Sequence, residues 1–190
     1  MTFGFIDKID LAILDFVNNH LHLGFLDKIF TAITKLGDEG IFWIALAIIL
    51  LCHKSTRKTA IKMGIALLLG LAIGNGIIKN VIARPRPYVL DTNLNIIPWL
   101  KETIHDWSFP SGHTLASFEA AGVLMMCDKK RFGIVSLVFA ILIAISRIYL
   151  CVHYPTDVLA GVLLGLLFAF IACKAVDAVV NLFTRRKSKR

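Results

Sequence analysis

Between residues 5 and 19 the apolar side chains recur on one helical face, with Asp7, Lys8 and Asp10 off it, the pattern of an amphipathic helix lying in a membrane interface. A second such piece, Leu26 to Leu36, stops at Gly37-Asp38. Asp27, Lys28 and Lys35 speak against its deep burial, and the pattern leaves open whether it crosses a bilayer or lies on it. Five strongly apolar runs follow, over about 40–53, 59–82, 113–127, 132–151 and 157–183. A crossing takes roughly 20 residues, so the first and third runs are short, and either borrow flanking residues or are shielded inside a bundle. The pattern predicts an all-α fold: a polytopic membrane helix bundle with five to six core helices plus an N-terminal amphipathic helix. The expected division is amphipathic, interfacial helices over 1–37, the bundle over 38–184 and a basic cytoplasmic tail over 185–190.

Composition supports a membrane protein. Of 190 residues, 57% are hydrophobic and 18% charged, with a mean hydropathy of +0.73, too apolar for an ordinary soluble domain. The net charge of +8 raises the question of nucleic acid, but the basic residues are not interleaved with aromatics on one polar face, so no nucleic-acid partner is expected. Most of them form three clusters: His53 to Lys58, Asp128 to Arg131, and Arg185 to Arg190. Placed in the cytoplasm by the positive-inside bias, these clusters let every apolar run cross in alternation. The loop over about 83–112 and the junction at 151–157 then share the opposite face. Cys52, Cys127, Cys151 and Cys173 lack short paired spacings and read as small core residues. The N-terminal residues lack the basic, apolar and small-residue succession of a cleaved leader, so no removal is expected.

That opposite face collects the unusual polar residues. Ser146-Arg147 ends one apolar run, and His153, Pro155 and Asp157 open the next. Pro155 suits a first helical turn. Asp157, four residues after His153, can hold one imidazole nitrogen and leave the other free as a base or nucleophile. Lys79 and Arg86 border a helix end broken by Pro85 and Pro87, where residues preceding proline are pushed to extended backbone. Pro110-Ser111-Gly112-His113 opens another run with free backbone N–H groups suited to an anion. Each piece also has a plainer reading: Lys79 and Arg84 as snorkelling anchors, Ser111 as an N-cap, Glu119 and Asn75 as links within the bundle. Taken together, several cations, a nest of donors and two histidines suit a tetrahedral phosphate. Clustered carboxylates of the kind that hold divalent metals are lacking, so metal-independent chemistry without a cofactor is expected.

These motifs resemble the type 2 phosphatidic acid phosphatases, whose fold is shared with the vanadium haloperoxidases. Lys79 through Arg86-Pro87, Pro110-Ser111-Gly112-His113, and Ser146-Arg147 with His153 and Asp157 match the family's three motifs in order, without a departure. The resemblance implies that 38–184 is the catalytic bundle and that Lys79, Arg86, Arg147, Ser111 and Gly112 cradle phosphate. It further implies His153 as a nucleophile forming a phosphohistidine, Asp157 as its orienting carboxylate and His113 as the general acid, later activating water.

The implied protein is a multi-pass plasma-membrane enzyme with its site on the extracytoplasmic face, hydrolysing a membrane lipid phosphate or diphosphate with water as acceptor. Undecaprenyl diphosphate is the first choice by family analogy, with phosphatidylglycerophosphate and phosphatidic acid behind it. Two alternatives stay open: a lipid or sugar phosphotransferase using the same residues, and a non-catalytic lipid-binding or transport protein. Oligomeric state is not legible.

Overall fold

A computed structural model of the chain describes residues 4–94, 96–127 and 130–188, which contain helices and no strand. Asp128, Lys129, Lys189 and Arg190 of the basic clusters lie outside the described residues. The helices are α1 (Phe5–His20), α2 (Gly24–Lys35), α3 (Ile41–Cys52), α4 (Arg57–Leu69), α5 (Lys79–Ile82), α6 (Pro87–Leu90), α7 (Pro98–Thr103), α8 (Gly112–Met126), α9 (Lys130–Tyr149) and α10 (Pro155–Ser188). A π-helical stretch, Gly70–Ile78, joins α4 to α5 without a break. Three of the described helices are long and apolar enough to cross a membrane: Arg57–Leu90, Arg131–Tyr149 and Pro155–Arg185.

The short third run becomes α8, whose 15 residues rise about 22 Å against a hydrocarbon core of about 30 Å. The mismatch is resolved by burial, because α8 is the central helix, with Thr114, Leu115 and every residue from Ser117 to Leu124 buried. It packs against α3, α4, α9 and α10, so protein rather than lipid surrounds it. The first run becomes α3, with 12 residues, or about 18 Å. α2 has the same length, too short by itself for a crossing.

Small residues set the tightest packing. A Cβ added at Gly161 of α10 would lie 2.9 Å from the Ser111 carbonyl oxygen, and one at Gly165 2.7 Å from that of Leu115. A Cβ added at Gly122 of α8 would lie 2.9 Å from that of Ala169. The stripe Gly161, Gly165, Ala169 thus brings α10 onto the backbone of α8, the way helices associate where lipid offers no hydrophobic drive.

Polar groups segregate to two ends. At one, Lys58 and Lys62 pair with Asp177 at 2.6 and 2.9 Å, tying the start of α4 to the far part of α10. At the other meet the end of α5, the loop before α8 and the junction between α9 and α10. α1 lies across this second end. Its Phe5, Ile6, Ile9, Ile13 and Phe16 face outward, while Asp10 and Leu14 are buried against the bundle. Val17 is buried with them, and Lys8 and Asp15 are exposed; the row of outward apolar side chains suits a helix with lipid as an outer neighbour. Of the cysteines, Cys151 and Cys173 are buried, but Cys52 is exposed, which corrects its reading as a core residue. It lies on the last turn of α3, facing away from the neighbouring helices.

Gly165→Leu is expected to force α8 and α10 apart and prevent recovery of folded protein. Gly165→Ala is expected to lower stability by about 1–3 kcal/mol through overpacking, read as a fall in the thermal unfolding midpoint in detergent. An unchanged midpoint in both variants would contradict the close approach.

Candidate active site

His153 is set in place by a turn. α9 ends at Tyr149, Cys151 takes a left-handed conformation with φ of 52°, and the N–H groups of Val152 and His153 both donate to the Arg147 carbonyl at 3.2 and 3.3 Å. Such a conformation is strained for a residue with a side chain and recurs at functional sites. α10 then begins at Pro155, as its preference for a first helical turn predicts. The imidazole is almost wholly buried, with Nε2 3.2 Å from Arg86 Nη1 and Nδ1 3.4 Å from Ser108 Oγ. A guanidinium only donates, so Nε2 is the accepting lone pair and the ring proton sits on Nδ1. Burial, followed by the charges of Arg86, Arg147, Lys79 and His113, pushes His153 well below the usual imidazole range.

Asp157 is fully buried and accepts several bonds. Oδ2 receives Ser108 Oγ and the Tyr154 N–H, the latter at 3.1 Å, and Oδ1 receives Arg84 Nη1 at 2.6 Å. Its separation from His153 Nδ1 is 3.5 Å, longer than a good hydrogen bond, so the expected direct pairing is shared with Ser108. Arg84 is no mere interfacial anchor. Besides Asp157 it binds Thr156, Asp7 and Asp10, each at 2.8 Å, which fastens α1 to the site.

Arg86 has extended backbone between its two prolines, with φ of −73° and ψ of 154°. Lys79 and Arg86 are both buried, and both are held by the Asp106 carboxylate. Burial alone would raise Asp106, but Arg86 and Lys79 hold it well below the usual carboxylate range. Arg147, on the last turn of α9, is buried with only Thr34 Oγ1 as a side-chain partner, and its Nε has none. Among the described residues no carboxylate pairs with it. An uncompensated buried cation is costly, and a bound phosphate would supply the missing charge.

At the start of α8, Ser111 is the N-cap residue but makes no side-chain cap bond. Its N–H donates to the Asp157 carbonyl at 3.1 Å and its hydroxyl accepts Thr114 Oγ1 at 3.0 Å, so it lies behind the pocket. Gly112 lines the pocket, with the Asn75 amide against its Cα. Asn75 makes no bond to Lys79, and its buried Oδ1 has no partner. His113 Nε2 is 2.9 Å from Asp38 Oδ1, leaving Nδ1 as its other polar atom. The Cα of Gly37 packs under the His113 ring, where any side chain would collide.

Lys79, Arg86, Gly112, His113, Arg147 and His153 line one cavity of about 1480 Å³. From this polar end it continues as an apolar groove between α3 and α4, past Ile44, Ile48, Leu51 and Ile61. Glu119, buried in α8 against Gly70, lines the groove with its Oε1 unpartnered. No group of three or more His, Cys, Asp or Glu among the described residues is arranged to hold a metal ion.

Four residues joined to this site were missed or misread from sequence: Asp38, Arg84, Asp106 and Ser108. Ser108 and Asp106 do precede the Pro-Ser-Gly-His stretch closely, and Arg84 lies inside the first motif. Nearness in sequence was the only available signal. Asp38 gave none, because its partner lies 75 residues away.

Comparison with known proteins bears on this arrangement. Residues 59–180 match the PAP2 superfamily. The chain is 32% identical to an undecaprenyl-diphosphatase of Sulfolobus acidocaldarius over 154 residues, covering 81% of this chain and 72% of the relative. It is 31% identical to phosphatidylglycerophosphatase B of Bacillus subtilis over 172 residues, covering 85% and 80%. The crystal structure of Aquifex aeolicus LpxE superposes with a TM-score of 0.75 at 29% identity, over 91% of this chain and 97% of that one. That of a transmembrane PAP2-type phosphatidylglycerolphosphate phosphatase from Bacillus subtilis gives 0.73 at 28% identity, over 94% and 89%. Motifs, fold and these likenesses agree, and the chain belongs to the PAP2 superfamily.

Proposed function

We propose that this membrane-embedded lipid phosphatase removes the terminal phosphate of undecaprenyl diphosphate, yielding undecaprenyl phosphate and inorganic phosphate through a phosphohistidine. The observation that carries the chemistry is the His153 Nε2 lone pair, buried and neutral, one hydrogen bond from Arg86 and in the same cavity as Lys79, Arg147 and His113.

In the first step Nε2 attacks the terminal phosphorus. The bond to the bridging oxygen breaks, and His113 gives its proton to that oxygen. Lys79, Arg86 and Arg147 take up charge on the phosphoryl oxygens, with Gly112 allowing close backbone approach at the α8 N-terminus. Ser111 contributes by fixing that N-terminus to Asp157. In the second step His113 takes a proton from water, the hydroxide oxygen bonds to phosphorus, and the phosphorus–nitrogen bond breaks to regenerate His153. Asp157 and Ser108 hold the Nδ1 proton throughout, and Asp38 orients His113.

The choice of lipid draws on the undecaprenyl-diphosphatase relative. Phosphatidylglycerophosphate is the second reading, favoured by the similarity to phosphatidylglycerophosphatase B. Lys58 of the first basic cluster, paired with Asp177 at the end of the bundle away from the polar end of the cavity, supports an extracytoplasmic site in the plasma membrane.

Phosphate release from undecaprenyl diphosphate, phosphatidylglycerophosphate and phosphatidic acid, measured in detergent with chelator and no added acceptor, is expected to be fastest for the first. Fastest release from phosphatidylglycerophosphate would select the second reading, and release only on adding an acceptor would identify a phosphotransferase. His153→Ala is expected to lower kcat by at least about 1000-fold, and unchanged turnover would exclude the mechanism. The pH profile of kcat/KM is expected to be bell-shaped. Because His153 stays neutral until pH falls toward its depressed value, the acid limb should lie below about 6.5, the ordinary imidazole value. A flat profile from about pH 5 to 9 would count against the paired roles of the histidines.

A further inference from the structure

Against the phosphate-binding cations stands a carboxylate, Asp106, that the chemistry above does not use. Asp106 receives Lys79 Nζ on Oδ2 and Arg86 Nη2 on Oδ1, and its backbone carbonyl accepts Arg86 Nε at 3.0 Å. The Lys79 and Arg86 side chains are 8% and 5% exposed, whereas that of Asp106 is 53% exposed, so the carboxylate covers the two cations from the open side. A guanidinium offers carboxylate and phosphate the same two-pronged edge. The remaining nitrogen of Arg86, Nη1, is already engaged by the Val152 carbonyl at 2.8 Å and by His153. A phosphoryl group brought against His153 therefore competes with Asp106 for the donors of Lys79 and Arg86. The competition persists at working pH, because the two cations keep the carboxyl ionised.

We infer that Asp106 is a resident counter-anion, displaced from Lys79 and Arg86 by the substrate phosphate and returning to them to expel inorganic phosphate after turnover. The inference rests on the phosphatase reading and adds to it the residue that determines how strongly the pocket retains its product. The carboxylate weakens both ligands through the same two cations. A lipid keeps the additional hold of its hydrocarbon in the groove, whereas inorganic phosphate is held by charge and hydrogen bonds alone, so the same loss leaves the lipid bound and lets the product go.

The test uses the full chain in detergent with orthophosphate as the probe, comparing wild type with Asp106→Asn, Asp106→Ser and Asp106→Glu. Inhibition by orthophosphate is measured during lipid turnover, and its binding is measured directly by titration calorimetry, which needs no turnover. Asn and Ser variants that keep the wild-type thermal midpoint are expected to bind orthophosphate roughly ten-fold more tightly. The gain should shrink as salt is raised and disappear in the Glu variant. Equal or weaker binding in a folded Asn or Ser variant would overturn the inference, since that is the result if Asp106 only aligns the two cations. Wild type inert toward every lipid would refute the functional reading instead, and the calorimetric comparison would still decide the role of Asp106.

Discussion

Asp157 is a carboxylate that water cannot reach, and most of the site follows from the need to satisfy it. A buried ionised group is tolerated only when donors replace its lost solvation. Here the donors come from separate parts of the chain: Arg84 beyond α5, Ser108 before α8, and the Tyr154 N–H beside α10. Ser111 adds a backbone link to the same residue. Satisfying one carboxylate thus draws three stretches of chain to a single point and fixes the imidazole that stands beside it.

The cations around that imidazole present the opposite problem. Lys79 and Arg86 have Asp106, whereas Arg147 has a hydroxyl and an unpartnered Nε. In water this imbalance would be screened, but in a cavity between helices it persists. The pocket is therefore electrostatically incomplete without an anion. Its donors are held in place beforehand by prolines, by the α8 N-terminus and by the Cys151 turn, so little reorganisation is left for the moment of binding.

Much of this was legible in the sequence, for reasons that differ by element. Long apolar runs gave α4, α9 and α10 because lipid imposes length and composition together. The polar motifs stand out because charge at the edge of an apolar run is expensive and so informative. What could not be read depends on contacts between distant segments. Asp38 meets His113 only because Gly37 lets the loop before α3 lie under the ring. Arg84 looked like a headgroup anchor, since nothing local announces that Asp7 and Asp10 will reach it from the N-terminal helix. The burial of α8 explained a run too short to span, and Asn75 failed to meet Lys79 because the π-helical stretch changes which residues share a face.

The groove beside α3 has a fixed reach, set by the roughly 18 Å rise of that helix. A lipid whose hydrocarbon outruns this distance leaves the remainder among its neighbours in the bilayer. Contact with the groove is thus confined to the first stretch of chain behind a headgroup.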